Sequence, residues 1–125
     1  MAGFEHLLKS YDIRDQLDEI ASSDPPAYLR RCFAEALSTP VLTFARTQQV
    51  AVCGMVLDSI LNHRDYENLE PELVADWRVH YTAKCGRLKE TAVIALHRAG
   101  VELKPVNPDA ATELADLERR LAALA

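Results

Sequence analysis

From Val50 to Leu61 the chain reads Val-Ala-Val-Cys-Gly-Met-Val-Leu-Asp-Ser-Ile-Leu, with polar side chains at Asp58 and Ser59 alone. The run sits inside a longer segment, Val41 to His63, whose pattern predicts one helix. A helix apolar around most of its girth has to be wrapped by other helices. This segment is therefore expected at the centre of an all-α domain, with the rest of the chain supplying the wrapping.

The flanking segments have the amphipathic spacing that wrapping needs. Asp24-Pro25 pairs an N-cap residue with a proline at the first helical position, where the missing N–H costs nothing. The helix that follows buries Tyr28, Leu29, Cys32, Phe33, Ala36 and Leu37 on one face. Ser38-Thr39-Pro40 repeats the signal ahead of the central helix. Glu70-Pro71 opens what reads as the longest helix, about Glu72 to Ala99. Along it Val74, Trp77, Tyr81, Cys85, Leu88, Ala92, Ala95 and Ala99 alternate steps of three and four, a bundle seam. Gly100 is a natural left-handed stop, followed by an extended linker from Val101 to Pro108. Asn107-Pro108-Asp109 then caps a last helix with Leu114, Leu117, Leu121 and Leu124 in step and Asp116–Arg120 as an outer pair.

The N-terminal stretch carries two apolar faces. Phe4, Leu7, Leu8 and Tyr11 lie together, and Ile13, Leu17 and Ile20 lie on nearly the opposite side. The switch at Ser10-Tyr11-Asp12 predicts a kink or break, or a helix sandwiched between two partners. The expected architecture is an up-down helical bundle of four main helices behind a broken N-terminal one, with crossings near 20°. Gly54, costing about 1 kcal/mol against Ala in mid-helix, marks a place where another helix crosses closely. A five-position echo at an offset of 34 residues, Ile60-Leu61-Asn62-His63-Arg64 against Ile94-Ala95-Leu96-His97-Arg98, reads as shared helix-end chemistry rather than a repeat.

Length and composition keep this picture and narrow the chemistry. A chain of 125 residues suits a single domain able to bury a sizeable core. The net charge of −5, from 14 basic and 19 acidic residues, argues against a nucleic-acid surface over the whole domain. A local patch from Arg30, Arg31 and Arg46 is the remaining route to nucleic acid. A helix-turn-helix over Gln48 to Asn62 fits poorly, because Ala51 is three rather than four residues before Gly54 and the recognition segment has no Arg or Lys. Cys32, Cys53 and Cys85 are odd in number and widely spaced, which disfavours a disulfide framework or a thiolate zinc site and suggests buried thiols. No basic-then-apolar leader is expected, the apolar run is too short to span a bilayer, and the default compartment is the cytoplasm.

Catalytic signatures are sparse. None of His6, His63, His80 or His97 has a Glu three residues before it, so a di-iron bundle is not indicated, and no metal or cofactor is expected. Phosphate-cradling glycine loops are also missing from the sequence. Asp76, His80 and Tyr81 form the one polar cluster worth inspecting for acid–base chemistry, although a solvated helix face with ordinary ion pairs explains it more simply. The leading expectation is a protein–protein interaction module that forms a homodimer, such as an adaptor, chaperone-like partner or assembly subunit. The C-terminal leucine seam, residues 109–125, is its expected contact element. A nucleic-acid-associated regulator and a small helical enzyme or ligand-binding bundle are the alternatives.

Overall fold

In a computed structural model, which describes residues 13–66 and 69–123, the chain forms six helices and, among those residues, no strand. They are α1 (Ile13–Ser22), α2 (Pro25–Ser38), α3 (Phe44–Asn62), α4 (Pro71–Gly86), α5 (Lys89–Leu103) and α6 (Pro108–Ala122). The expected break at residues 10–12, and the apolar face at Phe4 to Tyr11, lie outside the described residues.

α3 is the axis of the fold. Every residue from Val50 to Ile60 is buried, and α1, α2, α4, α5 and α6 all pack against the helix. At Gly54 neighbouring helices come close. A Cβ there would stand 2.7 Å from Leu117 Cδ2 and 3.1 Å from Leu96 Cδ2, so α6 and α5 both press on that turn. The helix begins later than the Thr39-Pro40 signal implies. Thr39 folds back on α2, its hydroxyl donating to the Glu35 carbonyl at 2.7 Å, and Thr43 is the cap, accepting from the Arg46 N–H at 3.1 Å. α3 ends at His63, which takes a left-handed conformation with φ of 57°.

The architecture differs from four main helices in one decisive place. The long helix expected over Glu72 to Ala99 is two helices, α4 and α5, joined by a tight turn at Arg87 and Leu88. There the Arg87 N–H donates to Lys84 O and the Leu88 N–H to Cys85 O, the short-range bonding of a 3₁₀ turn. The apolar seam hides this break. Cys85 and Leu88 are three apart, a spacing that a straight helix and a tight turn satisfy alike, and both are buried. α5 then runs through Gly100, whose φ is not positive, to Leu103. The expected extended linker is thus a helix end plus a short turn. Leu103 continues the buried row of Ala92, Leu96 and Ala99, and its carbonyl accepts from the Val106 and Asn107 N–H groups. Asn107 caps α6 as anticipated, its side chain accepting from the Ala110 N–H at 3.2 Å. α5 and α6 form a closely packed pair.

Candidate functional site

The C-terminal leucines do not form a free seam. Leu114, Leu117 and Leu121 are fully buried within the chain, while Leu124 lies outside the described residues. Burying a leucine is worth roughly 2 kcal/mol each, and here that term stabilises the chain's own core. The outer pair of Asp116 with Arg120 is also replaced. Asp116 pairs with Arg119, and Arg120 turns inward.

Arg120 enters a buried polar cluster that the sequence reading missed. The carboxylate of Asp58, with no exposed surface, accepts from Tyr66 Oη at 2.5 Å, from Asn62 Nδ2 at 2.6 Å and from Arg120 Nε at 3.1 Å. Arg120 Nη2 donates to Tyr66 Oη at 2.8 Å, so three side chains from α3, its following loop and α6 close one network. Burial, reinforced by the Asp58 carboxylate, pushes the Tyr66 phenol well up; the Tyr66 and Asp58 partners outweigh burial to hold Arg120 charged. A lone Asp in an apolar helix was the available signal, since a buried carboxylate demands a cation and donors. Its partner, 62 residues away, was not legible. Nearby, Arg78 Nη2 donates to Ser59 O at 2.7 Å, giving a cation to the last turn of α3.

All three cysteines are free thiols and buried, as expected. Cys32 on α2 and Cys53 on α3 meet through a thiol–thiol hydrogen bond. That bond, opposed by burial and assisted by Arg46, holds the Cys32 thiol below its usual range. Burial and the same contact push Cys53 well above its own. Gln16 Nε2 donates to Cys53 Sγ at 3.5 Å and to Gln49 O at 3.0 Å, locking α1 onto the pair.

The other expected residues lie on the surface. His80 Nδ1 is 3.4 Å from Asp76 Oδ1 with both side chains more than half exposed, and its ring lies tilted 6.0 Å from that of Tyr81. The trio is brought together on one exposed turn. Arg31 and Arg46 converge on Glu35, at 4.0 and 2.9 Å, and Arg31 also covers the Tyr28 ring. Arg30 is exposed and does not join them at Glu35. The carboxylate offsets the charge that a phosphate would need.

What remains unaccounted for on the surface is apolar. Ile94 and Val101 on the outer side of α5 are 57 % and 58 % exposed. Arg98, between them on the same helix, donates to Ala36 O at 2.5 Å and Pro40 O at 2.9 Å, and Glu102 accepts from the Leu42 N–H at 3.2 Å. These bonds hold the end of α2 and the α2–α3 connection against α5, and in that segment Leu37, on the last turn of α2, and Val41, in the connection, are exposed. On the other flank a cleft of about 280 Å³ opens between α5 and α6, lined by His97, Gly100, Lys104, Ala111, Ala115 and Glu118. His97 Nδ1 lies 3.1 Å from Glu118 Oε1 across it. Among the described residues no helix is long and apolar enough to cross a membrane. The chain matches no family model, no curated protein and no solved structure.

Proposed function

We propose that this chain is a protein–protein association module that pairs with a second copy of itself. The observation that carries the reading is the outer surface of α5, where Ile94 and Val101 stay exposed, with Leu37 and Val41 also exposed on the segment that Arg98 and Glu102 hold to the helix, although the chain buries a full aliphatic core elsewhere. Leaving such side chains in water forgoes stabilisation of roughly 25 cal/mol per Å² of apolar surface, and contiguous exposed patches on soluble domains mark contact sites. The contact surface in this reading is α5 with its two flanks, not the C-terminal leucines. Sedimentation equilibrium of the full chain tests it. A mass that rises from one to two copies between low and high micromolar concentration is expected, and a mass fixed at one copy throughout would refute self-association.

A further inference from the structure

Along the outer side of α5, Glu90, Ile94, His97, Val101 and Lys104 recur at steps of four and three residues. At about 100° per residue they fall in a single stripe. All five are exposed, while Ala92, Ala95, Leu96 and Ala99 on the opposite side are buried. The stripe is acidic at its N-terminal end, basic at its C-terminal end, and apolar on either side of a central His97.

This order matches itself when reversed. Turned end for end about His97, Glu90 faces Lys104 of the second copy, Ile94 faces Val101 of the second copy, and His97 faces its counterpart. A parallel pairing would set Glu90 on Glu90 and Lys104 on Lys104, which like-charge repulsion opposes. A two-fold contact has to be self-complementary in this way. The neighbouring surface suits the same arrangement. The small residues Gly100, Ala111 and Ala115 share the α5–α6 cleft with His97, Lys104 and Glu118, so it offers a second copy both positions of close approach and polar partners.

We infer that α5 is the seam of an antiparallel homodimer whose two-fold axis passes beside His97, with Glu90 and Lys104 as reciprocal ion pairs at its ends. This rests on the self-association reading above and goes beyond it by naming the occupant, orientation and register.

The test is sedimentation equilibrium at low ionic strength on the full chain and on five variants. Glu90→Lys and Lys104→Glu each place like charges at both ends of the seam and should each raise the dimer dissociation constant about tenfold, a penalty of about 1.4 kcal/mol. The double variant restores opposite charges in the reversed sense and should return to within about twofold of the parent. Ile94→Asp and, independently, Val101→Asp should weaken pairing at least about tenfold. Their exposed positions predict unchanged circular dichroism melts at concentrations where the parent is monomeric, since loss of pairing lowers a dimer's melt by mass action, and any variant whose melt is lowered there is replaced by the other. If the parent dimerises but neither single charge variant weakens it, or the double variant fails to recover, this seam is wrong while self-association stands. If the parent is a monomer at every concentration, both fall together.

Discussion

A methyl group on Gly54 would have to displace Leu117 and Leu96, two fully buried side chains with little room to yield. Alanine gains about 1 kcal/mol of helix propensity there. Overpacking a filled core costs about 1–3 kcal/mol, so the steric term wins. Gly54→Ala should therefore lower the urea midpoint, by about 1 kcal/mol of stability. Gly86 is the opposite case, exposed and with nothing within 4 Å of its would-be Cβ. Gly86→Ala should raise stability by about 0.5–1 kcal/mol in the same assay, because only the propensity term remains. Asp58 sets a third residue-scale expectation. Removing Arg120 leaves a buried carboxylate without its cation, so Arg120→Met should cost about 3 kcal/mol. Tyr66→Phe, which removes one donor, should cost about 1–2 kcal/mol. The two losses should not add in a double-mutant cycle, because both act through the same oxygen, Oδ2 of Asp58.

At the scale of elements, residues that resemble one another in sequence do different work at helix ends. Asp24, Thr43 and Asn107 all precede helices, yet only Thr43 and Asn107 accept a backbone N–H with their side chains. Thr43→Ala and Asn107→Ala should each cost about 1 kcal/mol in denaturant unfolding, and Asp24→Ala much less than either. Thr39-Pro40 carries the stronger sequence signal for the start of α3, but its threonine is spent on the last turn of α2. The choice between two plausible caps depends on where Arg98 and Glu102 pin the intervening connection, a contact some 60 residues distant in the chain. The division of α4 from α5 has the same character. Gly86 is a local hint, but the seam's three-residue step from Cys85 to Leu88 is blind to whether the helix turns there.

For the whole molecule, the buried acids that stay protonated give stability a defined pH limit. Burial, with help from Asp24, raises the Cys85 thiol from 9.0 to about 11. The Tyr66 phenol is raised from 10.0 by burial and by Asp58. A raised folded-state value means the unfolded chain loses its proton first, so these contributions are complete below pH 9 and are lost as the pH rises through 9 to 11 and beyond. Unfolding midpoints should be level on this account between neutrality and about pH 8.5, then fall steeply. Cys85→Ala should lessen the fall between pH 9 and 11. Midpoints that stay level to pH 11 would contradict the burial of these groups.

Local patterning by itself determined the helical class, the identity of the central helix and most of the buried faces. Those properties follow from how apolar side chains repeat along a short stretch, and repetition survives in one dimension. Val50 to Ile60, the row from Val74 to Ala99, and the close crossing at Gly54 were all legible for that reason. Tertiary structure alone decided that Arg120 serves Asp58 rather than Asp116, that Leu114, Leu117 and Leu121 are spent inside the chain, and that Ile94 and Val101 are left outside. Each is a competition between partners distant in sequence, settled by which helix faces are already covered, and a single strand of letters does not contain that bookkeeping.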